Sequence, residues 1–244
     1  MQEPRDHVPA EGAGPVIGFQ RWDSLLFLHW CVPVSALRPL VPRRLGIDTF
    51  AGNAYLSMTP FTVVGARVRF LPRVPGVSTF HELNARTYVR LEGGEPGIWF
   101  FSLDAASAVA AALARATLRL PYFPARISRS AAGDELRFTS ERRPRALLRG
   151  SFSASWRIDG SARTAAPGTL EHFLVERYQL FSRAIAGKLW RGPVTHLPWP
   201  LQRVRDLRLE QTVDEADGLP KLGEPDLAQY SEGVDVEFLP FVLV

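Results

Sequence analysis

Apolar and polar positions alternate with a period of two through much of the N-terminal half of the chain. Pro and Gly interrupt the alternation at intervals, the pattern of strands joined by turns. FHELNARTYVRL, residues 80–91, is the clearest case: Glu82, Asn84, Arg86, Tyr88 and Arg90 share one face, and Leu83, Ala85, Thr87, Val89 and Leu91 the other. LLFLHW (25–30) predicts a buried strand. VSALRPLVP (34–42) predicts a short helix ended by Pro42, with Leu37, Leu40 and Val41 inward. AYLSMTPFTVVGARVRFLP (54–72) predicts a strand pair broken at Pro60. GIWFFSLD (97–104) predicts a strand buried on both sides, ending at Asp104, whose carboxylate is expected to cap an alanine-rich helix over 105–119.

Further strands are expected at 125–130, 135–140, 151–158, 205–213 and 234–239. A helix is expected over TLEHFLVERYQLFSRAI (169–185), with an apolar stripe of Leu170, Phe173, Leu174 and Phe181. Residues 1–15, acidic and proline-containing with no apolar core, read as a flexible leader. Without an internal repeat or a composition break, residues 16–244 read as one α+β domain, mostly β, around a curved and largely antiparallel sheet.

With 46% apolar and 22% charged residues among 244, the chain is long enough and apolar enough for one substantial core. Its longest apolar run near the N-terminus, LLFLHWCVPV, is about half of the roughly 20 residues a membrane-spanning helix needs, so no membrane partner is expected and a cytoplasmic location is the default. All but two of the 29 basic residues are arginine, and they are scattered rather than gathered on one stripe, which argues against nucleic-acid binding. The single cysteine, Cys31, excludes an internal disulfide. It shares a strand face with His29, which leaves two readings: a Cys–His nucleophile pair, or a small buried apolar residue. The five histidines have no ligand spacing, and no phosphate-binding glycine loop is present, so neither metal nor nucleotide cofactor is expected.

The segment LHWCVPVSALRPLVPRRLGID resembles the strand–helix opening of the acetoacetate decarboxylase superfamily. A strand bearing Glu82, and Arg115 followed six residues later by Pro121, keep that family's order. LLFLHW, ELNARTYV, WFFSLDA, ARATLRLPYFPA and THLPWPL together resemble its YqjF-like branch, over roughly residues 20–200. The resemblance implies a cone-like β-barrel with outer helices and an interior apolar pocket holding a few charges. In the decarboxylases the residue after that proline is the Schiff-base lysine, and here Tyr122 and Phe123 follow Pro121. Iminium formation needs a primary amine, and the only lysines, Lys188 and Lys221, are far from this turn in sequence. Acetoacetate decarboxylation is therefore not expected.

By the same resemblance Glu82 is the acidic pocket residue, a candidate general acid or base partnered by Arg86 or Arg115. The alternative for its strand face is a solvated row of weak ion pairs. Tyr122 is either a catalytic hydroxyl donor that polarises a ligand carbonyl or a core aromatic. Arg86, Arg115, Asn84, Phe123 and His29 are candidate substrate contacts, while Arg115 also suits the end of its helix dipole with no ligand. His196 and Trp199 in THLPWPL are candidates for a pocket mouth or plain loop anchors. These residues predict a protein that binds a small organic acid or carbonyl compound. As an enzyme it would run acid–base chemistry of lyase or hydrolase type; the rival is a non-catalytic binding or scaffold protein whose polar face is a closed ion-pair network. A homo-oligomer is a further expectation.

Overall fold

A computed structural model describes residues 14–143, 149–184 and 187–244; all but the last two residues of the predicted leader lie outside them. In chain order the strands are β1 (Gly18–Val32), β2 (Leu45–Ile47), β3 (Ala54–Val68), β4 (Phe80–Leu91), β5 (Pro96–Ala105), β6 (Tyr122–Ala132), β7 (Glu135–Arg142), β8 (Ser151–Arg163), β9 (Gln179–Arg183), β10 (Leu189–His196), β11 (Leu201–Gln211), β12 (Leu227–Phe238) and β13 (Val242–Leu243). The helices are α1 (Val34–Leu37), α2 (Ala108–Leu118), α3 (Leu170–Val175) and α4 (Val213–Ala216).

All these strands join in one large curved sheet, mostly antiparallel, that closes on itself twice. One ring runs β5-β6-β7-β8-β11-β12-β1-β3-β4 and returns to β5; the other leaves β5 through β9 and β10 and rejoins at β12. Strands β12, β1, β3, β4 and β5 form a wall common to both. Because side chains alternate across a strand, this wall feeds two cores. In β1, Leu25 and Phe27 pack into one, whereas Leu26, Leu28 and Trp30 pack into the other against Phe138, Phe152 and Trp156. An apolar run such as LLFLHW is therefore the signature of a strand buried on both faces.

Several expected elements differ from the structure. Pro60 does not divide its strand: β3 continues through it, with Pro60 opposite Leu83 of β4. The β1–β3 ladder has an irregularity between Asp23 and Leu28, so the N–H that proline lacks has no partner to miss on that side. The helix expected over 169–185 is one short helix, α3, ending at the cap residue Glu176. Gln179–Arg183 instead form β9, held in parallel by β5 and antiparallel by β10. Ile185 lies outside the described residues. Asp104 is not a helix cap either. Ser107 takes that position, its hydroxyl accepting from the Ala110 N–H, and Asp104 is the last but one residue of β5.

Candidate active site

A cavity of about 700 Å³ opens on the side of the wall occupied by the Leu25 and Phe27 core. Phe80, Glu82, Asn84 and Arg86, alternate residues of β4, all line it. Up to the exposed Arg90, the polar face of FHELNARTYVRL thus turns to the interior rather than to solvent, and Glu82, Asn84 and Arg86 are each buried.

Tyr122 reaches the same cavity by a sharp local route. Arg119 ends α2 in the left-handed conformation (φ 51°), Pro121 follows, and the Pro121 carbonyl accepts from the Leu103 N–H at 3.0 Å. This docks the start of β6 in parallel beside β5, with Tyr122 opposite Leu103. From there the Tyr122 hydroxyl donates to Glu82 Oε2 at 2.8 Å. Burial is the dominant influence on Glu82 and lifts its carboxyl from an ordinary 4.5 to about 8, against the opposing hydrogen bonds from Tyr122 and Asn84. The Tyr122 phenol is pushed well above its usual range, first by burial and then by Glu82; it stays a neutral donor.

Two guanidinium groups complete the polar end. Arg177, which follows α3, lines the cavity and pairs with Asp48, Nη1 to Oδ2 at 2.6 Å, while its Nε donates to the Phe173 carbonyl at 2.6 Å. Arg86 has no carboxylate within salt-bridge reach among the described residues. Arg86 Nε, Arg177 Nη2 and Asn84 Oδ1 are buried without a hydrogen-bond partner among the described residues. Burial pulls the Arg86 guanidinium below its usual range, as expected of a desolvated cation.

Other candidates lie elsewhere. Phe123 points away from Tyr122 and packs under the Arg142 guanidinium, 4.5 Å from its ring centroid, outside the cavity lining. Arg115 sits on the exposed face of α2 and does not line the cavity. His29 is fully buried behind the cavity wall, its Nδ1 2.5 Å from Ser57 Oγ and 3.1 Å from the Tyr88 hydroxyl; burial lowers its pKa well below 6.5. Cys31 is exposed, so neither reading drawn for it holds: it is no buried apolar residue, and it does not share the environment of His29. His196 and Trp199 do line the cavity, and Trp199 stacks on Trp22 with centroids 6.1 Å apart. A closed ionic network is also present, but outside the cavity: Arg142 Nε binds Asp104 at 2.7 Å and its Nη1 binds Asp217 at 2.6 Å, all three buried. Lys188 and Lys221 are both exposed and outside the cavity lining.

Sequence reasoning missed Arg177 and Asp48. Arg177 fell inside the over-long helix expected at 169–185, and Asp48 meets it only through tertiary packing. No local periodicity marks the end of the helix: Tyr178–Arg183 read YQLFSR, which does not alternate.

Residues 19–235 match the DUF2071 family, described as an uncharacterized conserved protein. This chain belongs to that family. It is 39% identical over 221 residues to the uncharacterized protein YqjF of Bacillus subtilis (strain 168), covering 91% of this chain and 90% of that one. Its fold matches an acetoacetate decarboxylase from Legionella pneumophila (TM-score 0.65, 12% identity, 98% and 92% of the two chains). It also matches the enduracididine biosynthesis enzyme MppR complexed with pyruvate (TM-score 0.60, 17% identity, 94% and 90%). The acetoacetate decarboxylase-like fold implied by the sequence resemblance is therefore the fold of this chain. Among the described residues no helix is long and apolar enough to cross a membrane.

Proposed function

We propose that the cavity takes an organic acid or carbonyl compound, held through Arg86, and transfers a proton to or from it through Glu82 without any lysine adduct. The observation that carries this reading is the Tyr122–Glu82 contact inside the cavity, with a carboxyl at about 8. A group that titrates close to neutral pH exchanges protons in both directions at low cost. The buried Arg86, with no carboxylate of its own among the described residues, favours an anionic ligand, because an unpaired buried cation is costly. MppR, of the same fold, was solved with pyruvate.

In the forward step the ionised Glu82 takes a proton from the carbon next to a ligand carbonyl. The C–H pair moves into the enolate, an O–H bond forms on Glu82, and the Tyr122 hydroxyl, released by the now neutral Glu82, donates to the enolate oxygen. The protonated form of Glu82, favoured below about pH 8, supports a second reading in which the same groups only bind. Hydrogen–deuterium exchange at C3 of 2-oxo acids of graded size, followed by proton NMR in D₂O, separates the two. Exchange by the wild type that falls at least 100-fold in Glu82→Gln, with ligand affinity kept within a few-fold, fits catalysis; exchange untouched by that substitution removes Glu82 from the role. Borohydride treatment with the same compounds should leave the protein mass unchanged, and an adduct on Lys188 would restore iminium chemistry.

A further inference from the structure

The cavity is larger than a three- or four-carbon acid requires, and its polarity is lopsided. At about 30 Å³ per heavy atom, 700 Å³ accommodates on the order of 20 non-hydrogen atoms. The polar side chains Glu82, Asn84, Arg86, Tyr122 and Arg177 gather at the buried end. From Arg86 to Phe80 the lining strand β4 advances six residues, about 20 Å at 3.3 Å each. Over the last four of those residues its antiparallel neighbour β3 changes from Thr59 beside Asn84, through Phe61, to Val63 beside Phe80.

Beyond Phe80 the lining is mostly apolar and open, with Ser78 and Arg67 as polar members. Val68, Leu71 and Val74, in and next to the β3–β4 connection, are 58%, 58% and 51% exposed, and Leu113 of α2 is 59% exposed, yet all four line the cavity. Phe70, beside them, is 89% exposed. An exposed apolar rim continuous with an apolar cavity is the mark of a ligand path rather than of ordinary surface. The connection holds no acidic residue between Val64 and Phe80 but carries Arg67, Arg69 and Arg73, a charge pattern that favours approach by anions.

We propose that the ligand is a single-chain amphiphile whose carboxylate or carbonyl head sits between Arg86 and Glu82 and whose unbranched tail, on the order of ten carbons, runs along β3 and β4 to the Leu71–Leu113 rim. The head placement rests on the function proposed above; the tail rests on the lining alone.

Isothermal titration of the full chain with butanoate, octanoate, dodecanoate and the matching 2-oxo acids tests it. The expected result is a Kd that drops about three- to fourfold per added CH₂ up to about C12, the fold-change equivalent to roughly 0.8 kcal/mol of buried methylene. Ala114→Trp, which fills the α2 side of the cavity wall, should weaken dodecanoate at least tenfold and leave butanoate within twofold. A Kd independent of chain length, or equal loss of all lengths in Ala114→Trp, overturns the tail. Arg86→Gln distinguishes the two readings. Flat chain-length dependence with binding lost in Arg86→Gln keeps the head site and removes the tail, whereas steep dependence untouched by Arg86→Gln keeps the tail and removes the head site.

Discussion

Tyr122 and Phe123 are neighbours in the chain and face opposite sides of β6: the hydroxyl of one donates to Glu82 within the cavity, while the ring of the other lies 4.5 Å beneath the buried Arg142 guanidinium. Period-2 geometry turns one aromatic into the cavity and the other, half-buried, onto Arg142 outside it. Tyr122→Phe should raise the Glu82 pKa further, by about one unit, since a hydrogen bond that favours the carboxylate is lost. Phe123→Ala should leave that titration in place and destabilise the fold by roughly 2–4 kcal/mol. Infrared titration of the buried carboxylic acid and denaturant unfolding read the two effects separately.

Glu82 makes stability depend on pH. Its folded value of about 8 lies above the ordinary 4.5, so the native state holds a proton that the unfolded chain releases between those values. The contribution is intact below about pH 4.5 and is lost as pH rises through 8, by roughly 4–5 kcal/mol for such a shift. Glu82→Gln removes this loss. The variant should gain stability over wild type at pH 9 relative to pH 5, and equal pH profiles in urea unfolding would contradict the buried, protonated carboxyl.

Asp104 belongs to structure rather than to the site. Asp104→Ala leaves Arg142 with one carboxylate partner, Asp217, in a buried setting and should cost about 3–5 kcal/mol. Ligand affinity of the folded variant should stay within twofold of wild type. A large affinity loss with unchanged unfolding free energy would place Asp104 in the site instead.

The two arginines named from sequence separate cleanly. Arg86→Gln should weaken carboxylate binding on the order of 100-fold, the scale of a lost charged hydrogen bond of about 1.5–3 kcal/mol. Arg115→Ala, on the exposed side of α2, should alter stability by less than about 0.5 kcal/mol and affinity not at all. Calorimetric titration and thermal unfolding of both variants decide the point.

Local pattern alone determined the polar row Glu82, Asn84 and Arg86, the apolar strands and the turn at Pro121, because side-chain alternation and the fixed φ of proline are properties of a few consecutive residues. It also determined that no lysine follows Pro121. Whether the polar row faced water or an interior was decided only by closure of the sheet: the same alternating strand fits either, and it is the double ring through β12, β1, β3, β4 and β5 that buries both of its faces. Tertiary pairing likewise converted Gln179–Arg183 from helix to strand, brought Asp48 to Arg177 across 129 residues of chain, and drew Asp104 away from helix capping to Arg142. Those contacts depend on segments distant in sequence, and no local periodicity encodes them.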